Sequence, residues 1–168
     1  MHHTITEFDT MPEDDAMAVL LECCESLSWA RSVAAARPYG SRSALLDDAG
    51  DAAGRLTGTD LDDALAGHPR IGERADNASS RREQAAVTTA DADLLERIAA
   101  GNRAYEEKFG HVYLVRAAGR SASELLTILE HRLGNDPQTE QREVRCALAD
   151  ITRLRLERLI TAIPEGTP

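Results

Sequence analysis

Residues 136–162 read DPQTEQREVRCALADITRLRLERLITA, and the spacing of the apolar residues within them decides the fold class. Asp136-Pro137 is a helix start, because a proline in the first turn forfeits no helical hydrogen bond and arrives with its φ already set. Val144, Leu148, Ile151, Leu159 and Ala162 then recur on one stripe with a period of about 3.6 residues, which predicts a helix to about Ala162, stopped by Pro164. Arg155 lies in the middle of this stripe, where the pattern calls for an apolar side chain. A guanidinium there is costly unless it is paired or meets a bound anion. A structural salt bridge, or a stem that snorkels to water, accounts for it as well as a binding role does.

Working outward from this helix, the chain reads as a succession of further helices. Ser121 and Glu124 form a capping box that opens a helix stopped at Gly134. Thr89 opens another that runs to Lys108, with Leu94, Leu95, Ile98, Tyr105 and Phe109 at helical spacing, Asn102 on the same face and Gly110 at its end. Between these two, residues 111–117 begin His111-Val112-Tyr113-Leu114-Val115. They have strand-like composition but no partner strand, so they read as a short extended connector. Towards the N-terminus, Thr10-Met11-Pro12-Glu13 reads as a capping box for a helix to about Ser26. Ser28 to Ala36 reads as a second helix, Ser41 to about Leu56 as a third, Thr59 to Gly67 as a short fourth, and a fifth starts near Ser79 or Ser80. The expectation is an all-α, single-domain bundle of about eight helices over residues 1–168, with its core at about 8–163.

Length and charge narrow the function. The 168 residues suffice for one domain with a proper core. A net charge of −10 and a pI of about 4.9 argue against nucleic acid or an anionic membrane as the main partner. No apolar run approaches the length of a membrane span, and there is no signal peptide. Lys108 is the sole lysine among 19 Lys and Arg residues. Arginine favours bidentate grips on carboxylates and planar ureido-like groups, which suits a small anionic substrate. Cys23, Cys24 and Cys146 form neither a disulfide framework nor a zinc pattern and fit a reducing cytosol. The C-terminal residues carry no peroxisomal address, and His2-His3 reads as incidental.

Two short stretches can carry chemistry. In His68-Pro69-Arg70-Ile71-Gly72, the proline stiffens the loop and restricts the histidine before it. A histidine held on such a loop is a candidate acid or base near neutral pH. By local rules, however, Gly67 stops a helix there and Pro69 prevents its restart. In Ser80-Arg81-Arg82-Glu83, local rules read a capping box. The functional alternative places Ser80, Glu83 and Gln84 at a helix N-terminus, whose exposed amides favour an anion. The histidines His68, His111 and His131 have no metal-ligand spacing, and neither a nucleophile motif nor a phosphate-cradling glycine loop is present. A cofactor-free acid/base site remains.

Taken jointly, Trp29-Ala30, Arg37-Pro38-Tyr39, His68-Pro69-Arg70-Ile71-Gly72, Ser80-x-x-Glu83-Gln84, Asn102-x-x-Tyr105-x-x-Lys108-Phe109-Gly110, Arg132-Leu133-Gly134-Asn135 and Ile151-x-x-x-Arg155-Leu156 resemble one family in its own order. This is the 2-oxo-4-hydroxy-4-carboxy-5-ureidoimidazoline (OHCU) decarboxylase family of urate breakdown. The resemblance implies an all-α, mostly homodimeric carboxy-lyase without metal or organic cofactor that yields (S)-allantoin, and the C-terminal tail supports a cytoplasmic setting. The resemblance also implies that His68 is catalytic with Glu83 assisting, and that Pro69, Ser80, Gln84 and Arg155 meet the substrate. Val112, Tyr113 and Leu114 would line the pocket, partly through backbone groups. Many members carry Phe-Gly-Phe-Pro-Phe where this chain has Phe109-Gly110-His111-Val112-Tyr113, so a proline and one aromatic are absent from that wall. A non-catalytic helical interaction module, or an acid/base hydrolase of a related ureido ring, is the alternative.

Overall fold

The computed structural model describes residues 2–161. Among them are nine helices: α1 (Ile5–Thr10), α2 (Glu13–Leu21), α3 (Leu27–Ala35), α4 (Arg42–Gly54), α5 (Gly58–Ala66), α6 (Ala78–Glu83), α7 (Ala92–Phe109), α8 (Ala122–Leu133) and α9 (Pro137–Leu159). The all-α expectation holds. Residues 112–117 are the extended connector predicted between α7 and α8. The additional helix is α1, which Thr4 opens through a reciprocal capping box with Glu7. The box expected at Thr10 does not form: Pro12 caps α2 without a side-chain bond, and Thr10 ends α1. α9 ends at Leu159, three residues short of the expected end, because Ile160–Thr161 leave the helix as a short strand, β2. The predicted stop around Ala162 and Pro164 lies outside the described residues.

The described chain forms two compact units. The first comprises residues up to 64 and those from 149, and the second residues 65–148. In the first, Trp29 is buried on α3 and donates its indole N–H to the Ala49 carbonyl of α4 at 2.9 Å. Arg37 reaches back to the carbonyls of Phe8 and Met11, both at 2.8 Å, and so ties the end of α3 to α1. Strand β1 (His3–Thr4) pairs in parallel with β2, His3 against Ile160. His2 Nδ1 contacts the Arg158 carbonyl oxygen, so the N-terminal histidines belong to the fold and are not incidental.

In the second unit, α7 packs on α8 around Ile98, Tyr105, Tyr113, Leu125 and Leu129. The polar centre of this unit is the Glu140 carboxylate, which is 1% exposed. It accepts from the Arg132 guanidinium, the Tyr105 hydroxyl and, at 2.9 Å, the Asn135 amide. Arg132 also donates to the Leu114 carbonyl at 2.6 Å and lies 5.0 Å over the Tyr113 ring. Burial alone would lower the Arg132 pKa; the hydrogen bonds and charge of Glu140 outweigh this and raise it. Lys108 caps the end of α8 through the Leu133 and Asn135 carbonyls. Two stretches that the sequence shows as separate motifs thus meet in one cluster.

Arg132→Ala would strand a buried carboxylate. The expected loss is about 3–5 kcal/mol in urea-induced unfolding. A loss below about 1 kcal/mol, the range of an exposed ion pair, would contradict this account.

Candidate active site

The second unit brings together the His68 loop and α6. His68 lies just beyond α5, is 8% exposed, and donates its backbone N–H to the Leu65 carbonyl at 3.0 Å, which closes the last turn. Pro69 follows, half-buried, and Gly72 sits at φ +89°, a conformation that side-chain-bearing residues rarely adopt. Arg70 points outward, with a bidentate bond to Glu106 at 2.5 and 3.1 Å. The loop is therefore anchored to α7 on its exposed side and turns His68 towards the interior.

Ser80 and Glu83 do not form the capping box that local rules suggest. Asn77 is the cap, accepting the Ser80 backbone N–H at 2.7 Å. Ser80 is instead the third residue of α6 and is 2% exposed. Relieved of the capping role, Ser80, Glu83 and Gln84 stand at i, i+3 and i+4 and share one side of the helix. Ser80 and Gln84 are buried, and Glu83 is half-buried. Asp and Asn compete equally for the cap position, and the sequence offers Asp76 and Asn77 three residues before the serines, which is the signal that could have placed the helix start correctly.

Gln84 joins the two pieces. Its side-chain oxygen accepts the Gly72 N–H at 3.0 Å, and its amide donates to the Arg70 carbonyl at 3.4 Å. A side chain expected to meet substrate is thus also the strut that fixes the loop against the helix carrying Ser80 and Glu83. Asn102 of α7, 4% exposed, donates to the Ile71 carbonyl at 2.9 Å. Sequence reasoning placed Asn102 on the apolar face but gave it no role.

In the connector, Tyr113, Leu114 and Val115 are buried. The Tyr113 hydroxyl donates to the Leu125 carbonyl at 3.2 Å. Burial pushes the Tyr113 phenol well above the ordinary tyrosine range, so it stays neutral. Val112 is half-buried, and its carbonyl oxygen lies 3.0 Å from His111 Nδ1. The His111 ring meets Tyr105 edge-on at 5.5 Å.

Arg155 belongs to the first unit. It is 6% exposed on α9 and donates to the Cys23 carbonyl at 3.4 Å. The neighbouring Cys24 thiol is pushed up to about 11, chiefly by burial. A separate cavity of about 240 Å³ opens between residues 70–73 and α7, lined by Arg70, Gly72, Asn102, Arg103 and Glu106 among others. None of the predicted catalytic or substrate residues lines it.

The OHCU decarboxylase family model matches residues 9–157. The chain is 29% identical over 147 residues to the uric acid degradation bifunctional protein TTL of Arabidopsis thaliana, covering 83% of this chain and 45% of that protein. It is 30% identical over 141 residues to the 2-oxo-4-hydroxy-4-carboxy-5-ureidoimidazoline decarboxylase of Amia calva, covering 78% and 79%. A crystal structure of OHCU decarboxylase in the presence of (S)-allantoin superposes with a TM-score of 0.74 at 26% identity, covering 89% of this chain and 98% of that one. The chain therefore spans less than half the length of the bifunctional relative and most of the single-function one.

The thiols test the surroundings of Arg155. A disulfide-exchange reagent at pH 8 should titrate Cys146, which is exposed, while Cys23 and Cys24 react only after denaturation. Fast reaction of all three in the native protein would refute the buried placement.

Proposed function

We propose, from the premise that this chain belongs to the OHCU decarboxylase family, that it decarboxylates 2-oxo-4-hydroxy-4-carboxy-5-ureidoimidazoline to (S)-allantoin in urate catabolism. The observation that carries the reading is the Gln84 strut, which joins the His68 loop to the α6 side bearing Ser80 and Glu83. Acid/base chemistry needs a histidine on a fixed backbone near a carboxylate-bearing element, and this arrangement supplies both.

The substrate carries its carboxylate and hydroxyl on one ring carbon, next to a ring carbon that belongs to a C=N unit. As the bond to CO₂ breaks, its electron pair forms a C=C bond, and the C=N π pair moves onto nitrogen, which takes up a proton. The hydroxyl then loses its proton to become the product carbonyl, while the adjacent carbon gains one on a single face. The substrate is its own electron sink, so the step as proposed calls for no cofactor. His68 handles the hydroxyl proton and Glu83 orients it. Ser80, Gln84, Pro69 and Arg155 hold the anionic and ureido groups, with Arg155 suited to a bidentate grip on a carboxylate. Val112, Tyr113 and Leu114 contribute backbone contacts, since the Tyr113 and Leu114 side chains are committed to the core.

We also read the protein as a cytoplasmic homodimer acting as one domain over residues 1–168. The three cysteines outside any disulfide support the compartment, the family resemblance supports the dimer, and the continuity of α9 supports the single domain. Among the described residues, no helix is long and apolar enough to cross a membrane. Light scattering at twice the 18.3 kDa chain mass is the expected result for the dimer.

The activity is tested by generating the unstable intermediate from urate and following allantoin circular dichroism. The protein should accelerate (S)-allantoin formation over spontaneous decay, and His68→Ala should lose about 10²–10⁴-fold while remaining folded. A non-catalytic helical module predicts no acceleration, and wild-type turnover by the His68 variant would remove that residue from the chemistry.

A further inference from the structure

The carbonyl of Ile71 and the N–H of Gly72 belong to one peptide plane. Its two ends are held from opposite elements: the carbonyl by the Asn102 amide of α7 at 2.9 Å, and the N–H by the Gln84 side-chain oxygen at 3.0 Å. Gly72 follows at φ +89°. A peptide plane that leads into a positive-φ glycine can rotate to the opposite orientation with little steric penalty, so its direction must be set by its hydrogen-bond partners. Here both are side-chain amides, and both are buried.

Packing does not account for asparagine at position 102. The residue sits on the apolar face of α7 with Ile98 and Tyr105, and its Oδ1 is buried without a hydrogen-bond partner. Half of the amide therefore costs stability there, and an apolar side chain of similar size would avoid that cost. What such a side chain could not supply is the donor to Ile71. The reverse amide orientation would set Oδ1 against the Ile71 carbonyl oxygen, so the orientation follows from the acceptor it meets.

We propose that Asn102 is a positioning residue for the decarboxylation, acting with Gln84 as a two-sided clamp on the Ile71–Gly72 peptide that fixes the direction of the His68 loop. It touches neither substrate nor reacting atoms. The inference rests on the decarboxylase reading for its kinetic consequence, but the clamp itself can be read without activity. Loosening the loop misplaces a group that must stand within hydrogen-bond reach of the reacting proton, and such misplacement lowers turnover more than substrate affinity.

The test compares Asn102→Ala and Asn102→Asp with the wild-type protein. Both should lower kcat about 10²-fold with KM changed by no more than about threefold. In Asn102→Asp the ionised carboxylate only accepts and opposes the Ile71 carbonyl, whereas the protonated acid donates to it. Burial raises the pKa of a carboxyl group at this place. The ratio of Asp-variant to Ala-variant kcat should therefore climb as pH falls, a change that a merely structural role would not produce. Amide hydrogen exchange at Gly72 should quicken in the Ala variant. Wild-type kcat in Asn102→Ala, or a ratio that does not vary with pH, would overturn the proposal. If the wild-type protein itself fails to accelerate allantoin formation, the decarboxylase reading falls, and the clamp stands or falls on Gly72 exchange alone, with unchanged protection in Asn102→Ala overturning it.

Discussion

The Glu140 carboxylate is the group around which the second unit is organised. It is almost fully buried, and the Arg132 guanidinium, the Tyr105 hydroxyl and the Asn135 amide all donate to it. A lone carboxylate at that depth would be expelled or protonated; with three donors around it, the charge becomes a fixed point. Arg132 passes this constraint on through its bond to the Leu114 carbonyl, so the backbone of the connector is held by the same cluster that joins α8 to α9. An apolar core of the same volume would pack as well, but it would leave the connector carbonyl without its partner. The ion pair thus specifies a backbone position as well as contributing to the core.

The site follows a similar rule on its other side. The loop of His68 is short, contains a proline and a glycine, and makes few regular backbone bonds, so side chains have to define it. Arg70 ties it to Glu106 outside, and Gln84 and Asn102 tie it inside. Gln84 combines two duties, since the side chain expected to meet substrate is also one that fixes the loop backbone.

The fold class was legible because helical periodicity, capping boxes and glycine stops are local signals. α7, α8 and the start of α9 were read closely to their observed ends for that reason. The failures were at helix starts, where another local cap signal was present. Thr4 rather than Thr10 carries the capping box of the first helix, with Glu7 three residues on as its partner. Asn77 rather than a serine capped α6. In the site, His68, Ser80 and Glu83 were readable as a resemblance to a family's pattern, whereas the positioning role of Asn102 was not. A polar residue on an apolar helix face signals a partner, but the partner here is a backbone carbonyl 31 residues away, which no local pattern can name.

The division of the chain between its two units sets an order of assembly. The second unit is one uninterrupted run, residues 65–148, whereas the first needs both the opening residues and those after 149. On a ribosome, the whole of the second unit emerges while the first still lacks the end of α9 and the strand that pairs with His3 and Thr4. Vectorial synthesis therefore lets the Glu140 cluster and the His68 loop set first. Until Ile160 and Thr161 arrive, His3 and Thr4 have no strand to pair with, so the first unit is the last to close.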